Sequence, residues 1–162
     1  MLLLIEFFRL NKEAAQTERF IFMRIFMKKM ATRIVYPTPE KIIEYNILVL
    51  NMIKVKRADR AEVLSHARIV KVVDQCKELD GDIYDKAVCL LKRLIQEHCF
   101  ASGNRRTAFL AAREFVDSNG GKYRIKNDRQ HARVMQGIRE NFYTDEEIRE
   151  WIKNGKIKKF NR

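Results

Sequence analysis

The sequence predicts an all-α, bundle-like domain with a central buried helix. Three observations predict it. Apolar residues recur at helical spacing through most of the chain. Alternation of period two is confined to Lys122-Tyr123-Arg124-Ile125, a candidate short strand. With 6 Gly and 2 Pro in 162 residues, the chain also lacks the punctuation of a turn-rich sandwich or a linker-dominated protein.

Each element follows from local chemistry. Tyr36-Pro37-Thr38-Pro39 is extended, because a residue before proline avoids the α region. Thr38 caps a first helix with Pro39 at its first position. It runs to about Val55, with Ile42, Ile43, Val49, Leu50 and Ile53 among its apolar residues. A second helix covers residues 59–79 and stops at Asp80-Gly81. Asp82 caps a third, in which Ile83, Ala87, Leu90, Leu91, Leu94 and Ile95 form one apolar stripe. A fourth begins near Asn104 and ends at Asn119-Gly120-Gly121. Its run Ala108-Phe109-Leu110-Ala111-Ala112 is apolar on nearly every side, which predicts a central, buried position. A fifth starts at Asn127 or Asp128 and reaches about Asn141. Thr144-x-x-Glu147 is a capping box opening a sixth, with Gly155 past its end and Trp151 packing it.

Composition narrows the class further. A length of 162 residues fits one domain with its own core. Hydrophobic content of 46% excludes a disordered chain. Cys76, Cys89 and Cys99 are an odd number without metal-ligand spacing, which predicts a reduced, cytoplasmic protein with no disulfide framework. The net charge of +12 favours anionic partners: nucleotides, nucleic acid, acidic proteins or a membrane surface. The basic residues are spread along the chain, and the densest cluster, Lys153, Lys156, Lys158, Lys159 and Arg162, reads as a solvated tail.

Residues 1–33 stand apart from the domain at 34–162. Their apolar stretches, 1–10 and 20–30, are broken by charges, and neither reaches the ~20 residues of a membrane span. The segment reads as an amphipathic helix on the domain or on a membrane or partner. The alternative is sequence upstream of the true start, since Met23, Met27 and Met30 can each initiate.

One segment carries chemistry: His98-Cys99-Phe100-Ala101-Ser102-Gly103-Asn104-Arg105-Arg106-Thr107-Ala108. It joins the third helix to the fourth. His98 lies four residues after Leu94, which predicts that it continues the inward stripe. Free N–H groups and roughly half a positive charge mark a helix N-terminus. Gly103 lets backbone approach a ligand closely, and Arg105 and Arg106 can fork onto phosphate oxygens. Two arginines there oppose the dipole by roughly 0.3–1 kcal/mol each, a conflict that a bound polyphosphate removes. Histidine exchanges a proton near neutral pH and at this place can take one from a hydroxyl nucleophile. Singly, each feature has a plain structural reading: a core histidine, an ordinary turn, solvated arginines. Their joint occurrence points to a site. His66 and His131 have no ligand-spaced partners and read as surface or core residues.

The segment resembles the signature of the Fic/Doc family, His-x-Phe-x-[Asp/Glu]-[Gly/Ala]-Asn-x-Arg, which His98, Phe100, Gly103, Asn104 and Arg106 match at the right spacing. The flanks Asp82-Ile83-Tyr84-Asp85-Lys86-Ala87 and Arg106-Thr107-Ala108-Phe109-Leu110-Ala111-Ala112 resemble the death-on-curing (Doc) branch, as does the stretch 36–46. The resemblance implies an all-helical fold and transfer of part of a nucleoside triphosphate, such as ATP, to a protein hydroxyl. AMP is the group moved by typical Fic proteins, and phosphoryl by the Doc branch. It implies His98 as general base and Phe100 as the loop's anchor in the core. Gly103, Asn104 and adjoining N–H groups would hold phosphates, and Arg106 would neutralise charge that develops on the phosphates during transfer. It further implies Mg²⁺, a protein substrate and a separate antitoxin.

The sequence departs from the pattern in places. Ser102 stands where the acidic metal ligand is usual, and a neutral hydroxyl is a much weaker ligand for a hard cation. Arg105 fills the place of Gly in typical Fic proteins and of Lys in the Doc branch, which favours phosphoryl over AMP transfer. Phe109 replaces a second arginine, and Cys99 a proline. Gln136-Gly137-Ile138-Arg139-Glu140-Asn141 lacks the hydroxyl residue of the inhibitory helix found in some relatives. Three readings therefore stand: a Doc-like transferase of the kind that serves as the toxin of a toxin–antitoxin pair; a degenerate member that binds nucleotide or a partner without turnover; and a basic helical protein that binds nucleic acid.

Overall fold

The order of elements follows the capping chemistry closely. The computed structural model describes residues 34–52, 60–126 and 129–160. The extension 1–33, Ile53 and Val55, Asp59, the helix start at Asn127 or Asp128, and Arg162 lie outside the described residues. Six helices occur among those described: α1 (Pro39–Met52), α2 (His66–Glu78), α3 (Ile83–Gln96), α4 (Asn104–Ser118), α5 (Arg129–Arg139) and α6 (Asp145–Asn154). The chain divides into the units Met1–Ile34 and Val35–Arg162, and all six helices belong to the second. No helix among the described residues is long and apolar enough to cross a membrane.

The predicted caps form. Thr38 Oγ1 accepts from the Lys41 N–H at 3.2 Å. Asp82 and Asp85 make a reciprocal box at the start of α3, and Thr144 and Glu147 another at the start of α6. Each supplies acceptors to N–H groups that a helix cannot satisfy internally, worth roughly 1 kcal/mol. Arg149 on α6 reaches across to both acids of the first box, at 2.7 Å from Asp82 and 2.8 Å from Asp85. This ties the end of the chain to the start of α3. Burial alone pushes the Asp82 carboxyl up, but the Asp85 and Tyr84 N–H groups and the Arg149 guanidinium hold it below its ordinary value. That contribution to stability is present above the unfolded carboxyl's pKa and fades as pH falls through the lower folded value.

The centre of the bundle is α3, not the fourth helix that its run of apolar residues predicts to be central. Lys86, Ala87, Val88, Leu90, Leu91, Leu94 and Ile95 are all buried on it, and α2, α4, α5 and α6 pack around it. α4 packs along α3 and also against α1. Ala108, Ala111 and Ala112 are fully covered, and these small residues allow close approach of the helices. Phe109 and Leu110 remain half-buried, so the five-residue apolar run wraps beyond the contact face. Phe109 instead meets Tyr123 edge-on, with ring centroids 5.4 Å apart. Trp151, 1% exposed, closes the far side with His131 edge-on at 5.5 Å. His131 thus serves packing, and His66 is exposed with its Nε2 3.4 Å from Glu40.

Two further expectations are corrected here. The second helix begins at His66 rather than residue 59, because Ser65 is its N-cap and residues 62–65 give their backbone to another partner. The stretch at Lys122–Ile125 forms no strand. Its Arg124 N–H bonds to the Ile152 carbonyl at the end of α6, an isolated contact and not a ladder.

Candidate functional site

The site is a loop clamped between two helices. α3 ends at Gln96, and Glu97 closes it by donating its N–H to the Arg93 carbonyl at 2.9 Å. The next residue, His98, has φ of 47°, in the left-handed region. Helices commonly end on such a residue, but glycine normally fills it because it has no Cβ to clash. An imidazole held there is exposed, not on the inward stripe that its spacing after Leu94 predicts. The left-handed turn rotates the chain off the stripe one residue too early. Cys99 and Phe100 then enter the core, 0% and 2% exposed. Phe100 is thus the loop's anchor, as the resemblance implies.

Asn104 locks the turn. Its Nδ2 donates to the Phe100 carbonyl at 2.7 Å, and its Oδ1 accepts the Phe100 N–H at 3.0 Å. The side-chain amide expected to hold phosphate is therefore committed to the loop, and what it leaves for a ligand is the backbone. Gly103, at φ of 80°, is the N-cap of α4 and offers no side-chain cap. A Cβ there would sit 3.0 Å from Asn46 Nδ2 and 3.2 Å from Leu50 Cδ2, so both the dihedral and the space demand glycine. No acidic residue lies in the first turn of α4. Its first N–H groups have no intrahelical acceptors, and the dipole makes this end positive. Arg105 is exposed beside it. Arg106 is half-buried and lies along α1, with Nη1 3.4 Å from the Val49 carbonyl. The two arginines thus part company: Arg105 faces solvent, whereas Arg106 runs toward the C-terminal turn of α1.

Two supports for the loop come from residues far from it in the sequence. Residues 62–65 pair with the loop from the other side, through an antiparallel bridge between Val63 and Phe100. The Leu64 N–H donates to Cys99 at 2.9 Å and the Ala101 N–H to Glu62 at 3.0 Å. The second support is Asn46, 1% exposed, whose Nδ2 donates to the Ser102 carbonyl and to Thr107 Oγ1, each at 2.9 Å. Ile42, Asn46 and Leu50 are the buried residues of α1, at i, i+4 and i+8. A polar residue on an otherwise apolar stripe was the available signal. Replacing Asn46 by Leu keeps the volume but strands a carbonyl and a buried hydroxyl. We expect a loss of about 2 kcal/mol in denaturant unfolding, with faster hydrogen exchange of the 99–104 amides.

The position given to a metal ligand carries the Ser102 hydroxyl. Among the described residues, no three His, Cys, Asp or Glu side chains gather to hold a cation. The donor set present does not fit Mg²⁺ held by a protein carboxylate.

A comparison with protein families matches the Fic/DOC family over residues 27–116, more than half of the chain. The chain belongs to the Fic/Doc family. No curated protein matches it significantly. The matched Fic/Doc region includes α1 to α3, the loop and most of α4, and hence every residue of the clamped turn. Membership supports a Fic-type transferase in general terms, and the all-helical bundle agrees with it.

Proposed function

We propose that this Fic/Doc protein is a Doc-like transferase that moves the γ-phosphoryl group of a nucleoside triphosphate to a protein hydroxyl. The observation that carries the reading is the pairing, on one clamped loop, of an exposed imidazole and an uncapped, positive helix end. Strained backbone under a non-glycine residue gathers at functional positions, and His98 has that character. In this scheme the phosphates lie against the backbone N–H groups at the N-terminus of α4, where Arg105 supplies charge. His98 takes the proton of the target hydroxyl as its oxygen attacks the γ-phosphorus. The new O–P bond forms as the bond to the β–γ bridging oxygen breaks, and the diphosphate leaves. Arg105 at the place of the Doc-branch Lys is what favours this outcome over AMP transfer. The same likeness supports reading the protein as the toxin of a pair restrained by a separate antitoxin.

A second reading, nucleotide binding without turnover, has its own observation: Ser102 in place of the metal-binding acid. One assay separates the two. The protein is incubated with cell extract and with ATP labelled at the α or the γ position. γ-Label on a protein supports phosphoryl transfer, and α-label replaces it with nucleotidyl transfer. Binding of ATP with no labelled product supports the second reading. Ser102→Asp is then expected to restore or raise labelling at least tenfold, because a carboxylate returns the ligand for a hard cation.

A further inference from the structure

Away from the loop, α2 and α3 run antiparallel and present two thiols to each other. Cys76 on α2 is 1% exposed, and its Sγ–H donates to the Cys89 sulfur on α3 across 2.9 Å. Cys89 is half-buried and borders a groove of about 500 Å³ whose lining mixes Lys92 and Arg93 with Asp80, Asp85, Asp145 and Glu146. The two sulfurs therefore differ in access: one reaches the groove, the other waits behind it. Both are free thiols here.

We propose that Cys89 is an oxidation site for small hydroperoxides and that Cys76 resolves it to a reversible disulfide stapling α2 to α3. The Cys89 thiolate attacks one peroxide oxygen; the O–O bond breaks, hydroxide or alkoxide leaves, and Cys89 becomes a sulfenic acid. The Cys76 sulfur then attacks the Cys89 sulfur. The S–S bond forms, the S–O bond breaks, and the hydroxyl departs as water with the Cys76 proton. Two electrons pass from the thiols to the peroxide.

The electrostatics agree with this division of labour. The hydrogen bond from Cys76, aided by Arg93, holds the Cys89 thiol below its ordinary value against the opposing effects of burial and the Asp145 carboxylate. Donating that bond, together with burial, pushes Cys76 well above its own. Low pKa and access favour the attacking thiol. Cys99 is a built-in control: it is fully buried, and burial pushes its thiol up to about 11. The staple would also reach the loop indirectly. α3 ends where the loop begins, and Arg68 near the start of α2 donates to the Glu97 carbonyl at 3.0 Å. A link between these helices fixes the frame on which His98 hangs.

The test treats the full chain with hydrogen peroxide and maps its thiols by non-reducing digestion and mass spectrometry. The expected product is a Cys76–Cys89 linked peptide, with Cys99 still alkylated after unfolding. The melting temperature should rise by several degrees and return on adding dithiothreitol. Cys76→Ser should accumulate sulfenic and sulfinic acid at Cys89, whereas Cys89→Ser should leave Cys76 reduced. A folded wild type that yields no such peptide overturns the proposal, as does a link through Cys99. So does oxidation of Cys76 in the Cys89→Ser protein. Should either serine variant fail to fold, the wild-type map alone decides.

Discussion

His98→Gly is expected to remove at least 100-fold of the transfer activity while leaving the fold intact or slightly firmer. The first part follows from the scheme. A positioned general base contributes roughly 10²–10⁴ in rate, and no other described imidazole lies on this loop. The second part follows from the backbone. At φ of 47° a Cβ is a liability, and its removal relaxes the turn. The side chain is exposed, so no cavity is left behind. His98→Ala should lose the same activity at a small cost in stability, of order 1 kcal/mol or less. The pair therefore separates chemistry from folding, which a buried catalytic residue would not allow. The readouts are labelled product per unit time and the thermal midpoint. Persistent labelling by the glycine variant would remove His98 from the mechanism. Lost labelling with a collapsed midpoint would mean that the imidazole holds the turn together.

Local signals and long-range ones were not equally readable in the sequence. Thr38, Asp82 and Thr144 announce helix starts because a capping side chain acts on N–H groups two or three residues away. Such chemistry is complete within a short window. The stripe on α3 was legible for the same reason. What escaped depended on residues far apart. Residues 62–65 read as helix because nothing nearby forbids it, whereas in the fold their N–H and C=O groups are claimed by Cys99 and Ala101. The spacing after Leu94 puts His98 on the inward stripe, and only its left-handed backbone at the end of α3 turns it outward. Asn46 stands out in the sequence only as a polar residue on an apolar stripe, and its role depends on partners 56 and 61 residues away. The motif itself was visible because its loop is short. Asn104 bonds to Phe100 only four residues earlier, so one nine-residue segment contains both the lock and the exposed imidazole. Arg105 and Arg106 looked equivalent as neighbours, but successive helical positions point about 100° apart, which sends one to solvent and the other along α1.

Lys86→Met is expected to lower stability by about 3 kcal/mol and the melting temperature by roughly 10 °C. Lysine is seldom fully buried unless paired, yet Lys86 is 6% exposed. Its ammonium donates to the carbonyls of Cys76, Lys77 and Leu79, the last turn and C-cap of α2. These are oxygens that a helix end leaves without intrahelical donors, and the positive charge also opposes the negative end of the dipole. Three donors meet three acceptors, so the buried charge is fully satisfied, with the Tyr36 ring 5.8 Å away on another side. Methionine keeps the length of the stem and fills the same space. It removes every donor, and buried carbonyls are then left bare. Lys86→Arg should recover only part of the loss, because a planar fork cannot converge on three carbonyls arranged for a compact ammonium. Since α2 and α3 are antiparallel, loosening their contact at this end also frees residues 62–65 at the other, where they brace the loop. Hydrogen exchange of the Leu64 and Ala101 amides should therefore quicken in the methionine variant. An unchanged midpoint would mean that water already serves those three carbonyls.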